Sequence, residues 1–157
     1  MKVARSVALI SYRNYETYQL RQSETSNDHI AGFKSESYQR YQGEKLARRF
    51  NAFSYYTLSQ SMDSHNVGRG RGNAQAALQK IRSHTLAIGI ETDILFPVQE
   101  QKFIATHVPG ASFEIIYSQY GHDGFLLEYE QIGNLISAFI DKHVGTSSSQ
   151  AKVNYKL

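Results

Sequence analysis

Cysteine is absent from the 157 residues. Its absence excludes a disulfide framework, a thiolate nucleophile and any cysteine-ligated metal, and it fits a reducing compartment. No apolar run approaches the roughly 18 residues that a membrane span requires. The opening Met1-Lys2-Val3-Ala4-Arg5-Ser6 lacks the unbroken apolar block of a secretory leader. A cytoplasmic protein with no membrane partner is expected. The net charge of +3 is spread over isolated cations such as Arg13, Arg21, Lys45 and Lys80, and only Arg69-Gly70-Arg71 is compact. A phosphate-tracking surface needs a basic face or stripe, so nucleic acid is not an expected partner. No two of the six histidines stand three to five positions apart. Asp63 and His65 make a close pair but not a ligand cluster, and no metal site is expected. The glycine-rich stretch 68–72 lacks the Lys-Ser/Thr ending of a phosphate loop and reads as a flexible return between segments.

What remains is enough for a real core, since 41% of the residues are aliphatic or aromatic. Val3, Val7 and Ile10 fall on one helical stripe, and a largely buried helix is expected over 3–13. Residues 14–34 are polar with little periodicity and read as a loop. A helix should begin near Ser35, and Asn51 should cap another that carries Tyr55, Leu58 and Met62. Beyond residue 72 the texture changes. Asn73 caps a short helix, and Thr85-Leu86-Ala87-Ile88-Gly89-Ile90 is a continuous apolar run suited to a strand covered on both faces. Pro97 opens a helix that Pro109-Gly110 stops. Residues 113–117 form a second strand, and Ile132, Leu135, Ile136, Phe139 and Ile140 stripe a last helix.

Two residues at strand ends carry chemistry. Asp93 follows the first strand, in Thr92-Asp93-Ile94-Leu95-Phe96-Pro97, and His122 follows the second, in Tyr120-Gly121-His122-Asp123-Gly124. An acid and then a histidine, in that order, form the rear two thirds of an α/β-hydrolase triad, whose nucleophile precedes both. Asp93 alone could merely cap the next helix, and a lone histidine is usually structural. Their shared position at the carboxyl ends of strands is where open α/β sheets place reactive groups. No G-x-S-x-G elbow precedes them. Gly110-Ala111-Ser112 lacks the second glycine and opens a strand instead of leaving one, so Ser112 is rejected as nucleophile. A strand as apolar as 85–90 also asks for more neighbours than one partner strand supplies.

Several stretches together resemble the homoserine O-acetyltransferase family of α/β-hydrolase-fold acyltransferases. They are Ala4-Arg5 through Ile10-Ser11-Tyr12-Arg13, Glu36-Ser37-Tyr38 with Arg40-Tyr41-Gln42-Gly43-Glu44-Lys45, Met62-Asp63 with His65, Val67-Gly68-Arg69-Gly70-Arg71-Gly72, and the Asp93 and His122 neighbourhoods. They occur in family order over about residues 3–140. The resemblance implies an α/β class with a partial α/β-hydrolase fold: the last two parallel strands, their flanking helices and a helical lid. It divides the chain into a core helix at 1–13, a helical lid region at 14–72, the C-terminal part of the hydrolase core at 73–143 and a flexible tail at 144–157. It further implies acyl transfer from acetyl-CoA, a co-substrate and not a bound cofactor, to the hydroxyl of L-homoserine on the route to methionine. Asp93 would be the triad acid and His122 the general base. Arg5 would hold the substrate carboxylate and Asp123 its ammonium. A missing N-terminal half would bring the serine, and the tyrosines 38, 41, 55 and 56 would pack the lid or a homodimer face. Two alternatives stay open: a non-catalytic interaction fragment, and an acyltransferase that uses serine as acceptor or succinyl-CoA as donor.

Overall fold

The structure is a computed structural model that describes residues 1–26 and 28–144. The tail expected from residue 144 onward lies, beyond Val144, outside the described residues. Element order along the chain is α1 (Lys2–Tyr12), α2 (Tyr15–Gln22), α3 (Lys34–Arg49), α4 (Ala52–Asp63), α5 (Ala74–Leu78), β1 (Leu86–Ile90), α6 (Val98–His107), β2 (Ser112–Ile116), a 3-10 turn at Gly121–Asp123, α7 (Gly124–Leu127) and α8 (Tyr129–Val144).

Asparagine caps set three of the helix starts. Asn14 accepts from Thr17 N–H, Asn51 from Phe53 and Ser54 N–H, and Asn73 from Ala76 N–H. Pro97 stands at the N-cap of α6, and its carbonyl accepts the Glu100 N–H at 2.9 Å. β1 and β2 pair in parallel, Leu86 against Ser112 through Ile90 against Ile116. The α6 crossover packs on both strands, and α8 also touches both. The buried apolar core near the sheet comprises Ala77, Ala87, Ile90, Val108 and Ile116. Among the described residues the sheet has these two strands, and β1 has no strand on its second edge. On β2, Ile115 is exposed.

Two expectations are corrected. Residues 14–34 are not all loop, because α2 forms within them. Its sequence, Tyr-Glu-Thr-Tyr-Gln-Leu-Arg-Gln, has no apolar stripe, and polar tertiary contacts hold it instead. The Thr17 hydroxyl donates to the Gln119 carbonyl, and the Tyr18 hydroxyl donates to the Leu9 carbonyl. The second correction concerns α1, which is a helix but is not buried along its apolar stripe. Val3, Val7 and Ile10 are 76, 63 and 62% exposed. The inward ridge is the opposite one, Arg5–Leu9–Tyr12, at helical spacing i, i+4, i+7. Only Leu9 of α1 is buried, and the helix packs chiefly on α3.

Candidate active site

Because β1 and β2 are parallel, their carboxyl ends leave the sheet on one side, and the loops that follow meet there. Ser112, the first residue of β2, lies at the other end, next to Thr85, whose carbonyl accepts its N–H.

The chain turns at once after β1, and Asp93 N–H donates to the Ile90 carbonyl at 3.0 Å. The Asp93 carboxylate is buried, at 7% exposure. Its Oδ1 accepts from the backbone N–H groups of Leu95 and Phe96 at 2.8 and 2.9 Å. Its Oδ2 lies 2.8 Å from His122 Nδ1. The bland reading of Asp93 as a turn residue is therefore half right: one oxygen ties the turn and the other addresses the imidazole. A carboxylate only accepts, so the proton between them sits on His122 Nδ1. Nε2 is then left with the lone pair, as a base requires. Tyr12, Phe96 and Phe125 surround the imidazole, with ring centroids 5.7, 5.2 and 5.1 Å away.

The loop carrying His122 is held from several directions. Thr92 donates its hydroxyl to the Ser118 carbonyl, and Tyr120 N–H donates to Ser118 Oγ at 3.1 Å. Gly121 has φ +61°, and a Cβ there would stand 2.9 Å from the Asn14 nitrogen. Glycine is thus needed on two counts: a left-handed backbone and close passage beneath the α1–α2 junction. A Cβ at Gly124 would meet Ser118 Oγ at 2.6 Å.

Of the other two expected residues, Arg5 and Asp123, the structure places both near this loop but does not pair them. The Arg5 guanidinium carbon lies 5.1 Å over the Tyr12 ring, which in turn faces His122. Asp123 is bonded to Arg13, whose Nε donates to Oδ2 at 3.0 Å. The Arg13 guanidinium also stacks over Tyr38 at 5.1 Å. Arg13 is the residue that sequence reasoning missed. Its partner lies 110 positions away, and no local signal marked it out from a surface cation at a helix end. Arg5, Arg13 and Asp123 all act on one half-buried phenol, Tyr18. Burial pushes its pKa above the ordinary 10.0, Arg13 opposes that, Tyr38 and Asp123 add to it and Arg5 opposes it weakly. Among the described residues no group of three or more His, Asp or Glu could hold a metal ion, and no helix is long and apolar enough to cross a membrane.

A βαβ unit with an acid–imidazole pair at its strand ends defines a partial α/β-hydrolase fold. Solved structures agree, including a homoserine O-acetyltransferase from Bacillus anthracis with TM-score 0.77 at 13% identity, matched over 89% of this chain and 40% of that one. No protein-family model matches the chain. Curated relatives do. The chain is 48% identical over 139 residues to the homoserine O-acetyltransferase of Cyclobacterium marinum, covering 88% of this chain and 39% of that protein. It is 40% identical over 151 residues to that of Clavibacter michiganensis, covering 90% and 39%. The chain is therefore a relative of the homoserine O-acetyltransferases. It spans about two fifths of their length, consistent with a C-terminal portion.

Proposed function

We propose that this chain supplies the acid–base part of a homoserine O-acetyltransferase, transferring acetyl from acetyl-CoA to L-homoserine with a serine furnished by polypeptide outside these residues. The observation that carries the reading is the 2.8 Å contact between His122 Nδ1 and the buried Asp93 carboxylate. In it, His122 Nε2 takes the proton of the serine hydroxyl as that oxygen attacks the thioester carbonyl. The tetrahedral adduct collapses, the CoA sulfur leaves with the proton from His122, and acetyl remains on serine. The homoserine hydroxyl then gives its proton to Nε2 and attacks the acetyl ester. The second tetrahedral adduct collapses, the serine oxygen leaves with that proton from His122, and O-acetylhomoserine is released. Asp93 holds the tautomer and stabilises the imidazolium in both halves.

Arg5 and Asp123 complete the reading as a clamp for a zwitterion. Asp123 Oδ2 is committed to Arg13, so its other oxygen is the one left for an ammonium group. Arg5 offers a planar fork to the carboxylate. Residues 14–72 act as the lid over this region, and the exposed Phe53 and Tyr56, three positions apart on α4, offer a face for homodimerisation.

Alone, the chain should be inactive, since loss of a triad nucleophile costs on the order of a millionfold in turnover. The test is CoA release from acetyl-CoA with homoserine present. The chain should give background only, and should become active when mixed with a separately made segment that carries a G-x-S-x-G elbow from a relative. Steady turnover by the chain alone would refute the reading.

A further inference from the structure

Beside the loop that carries His122, and lined in part by Arg13 and Tyr120, lies a cavity of about 440 Å³. It opens between α2, the start of α3 and the loop at Tyr120. Three of its lining residues are cations, Arg13, Arg21 and Lys34, and no acid lines it. We propose that this cavity binds a small, multiply charged oxyanion of the phosphate class. The inference stands whether or not the acyl-transfer reading holds.

The donors are only partly used within the chain. Arg13 gives Nε to Asp123, which neutralises one charge but leaves the Nη groups of its fork. Lys34 Nζ donates to the Ser23 carbonyl at 2.9 Å, one bond of the three an ammonium can make. Arg21 forms no ion pair among the described residues. A second nearby carboxylate, Glu24, is turned to the Lys34 backbone N–H. Lys34 is also the first residue of the 16-residue helix α3, whose first N–H is taken by Glu24, so the helix end itself adds little to the field. Tyr38 lines the cavity as well, and its hydroxyl is buried without a hydrogen-bond partner. Three cations against the two engaged carboxylates, Asp123 and Glu24, leave the cavity net positive, and the spare donors of Arg13, Arg21, Lys34 and Tyr38 are matched by an oxyanion with three or more acceptor oxygens. A phosphate or diphosphate meets that description, and a monocarboxylate does not.

The probes are inorganic phosphate, pyrophosphate and acetate, titrated calorimetrically into the full chain with ionic strength held constant by sodium chloride. Saturable one-to-one binding of pyrophosphate or phosphate, with acetate weaker, is the expected result. The double variant Arg21→Gln/Lys34→Gln changes two exposed side chains, and it should keep the helical circular dichroism while weakening binding about tenfold or more, the loss expected from one charge-assisted contact. Absence of saturable binding up to millimolar anion, equal binding of acetate, or unchanged affinity in the double variant would each overturn the proposal.

Discussion

Replacing Asp93 by asparagine separates its two tasks. The amide oxygen can still accept from Leu95 and Phe96 N–H, which now reach Oδ1 at 2.8 and 2.9 Å. The amide nitrogen must then take the place of Oδ2, 2.8 Å from His122 Nδ1, and it can only donate. Nδ1 therefore becomes an acceptor and the imidazole proton moves to Nε2, where the base should be. The fold loses little, about 1 kcal/mol for one charge-assisted bond exchanged for a neutral one. Alanine at the same position loses all three bonds and leaves two backbone N–H groups of a partly exposed turn without their acceptor, which should cost about 1–3 kcal/mol. Two assays on the full chain read these effects. Imidazole nitrogen NMR shifts should report an Nδ1-protonated ring in the wild type and an Nε2-protonated ring in Asp93→Asn. Urea unfolding should place the alanine variant below the asparagine one. An unchanged tautomer in Asp93→Asn, or equal stability of the two variants, would refute the division of labour between Oδ1 and Oδ2.

Other expectations follow from the same geometry. Gly121→Ala forces a side chain into a left-handed turn against the Asn14 backbone and should lower stability by about 1–3 kcal/mol, read from the urea midpoint. Leu9→Ala, at a site 2% exposed, should cost about 2–5 kcal/mol, while Val7→Ser on the opposite face should stay within about 0.5 kcal/mol. Similar losses for both would mean that the apolar stripe of α1 is covered after all. Tyr18 has its pKa raised by burial, so the fold favours the neutral phenol. Its contribution is complete below pH 10.0 and is lost as pH rises through the higher folded value. Alkaline titration of stability should therefore fall more steeply for the wild type than for Tyr18→Phe.

How much of this was legible in the sequence varies by element. β1 and β2 could be read because their apolar runs are short and bounded, and the caps at Asn51 and Asn73 lie where local chemistry demands them. Asp93 and His122 could be read from their order along the chain, since parallel strands bring successive carboxyl ends together whatever else surrounds them. Periodicity shows which residues share a helix face but not what lies opposite. Val3, Val7 and Ile10 do share one, and it is the polar ridge behind them that turns inward. α2 escaped notice because its anchors, Thr17 and Tyr18, bond to carbonyls at Gln119 and Leu9 instead of filling an apolar stripe. The Arg13–Asp123 pair escaped for a related reason: its energy is in a contact between distant segments, and neither residue's neighbours announce it.

The most direct measurement is kinetic. Join the part of the Cyclobacterium marinum relative that this chain does not match to this chain, and compare homoserine-dependent CoA release with His122 intact and with His122→Gln. The account predicts turnover in the first and a loss on the order of 10⁴-fold or more in the second, with KM for homoserine nearly unchanged. A His122→Gln fusion within about tenfold of the intact one would remove His122 as the base and contradict the central claim.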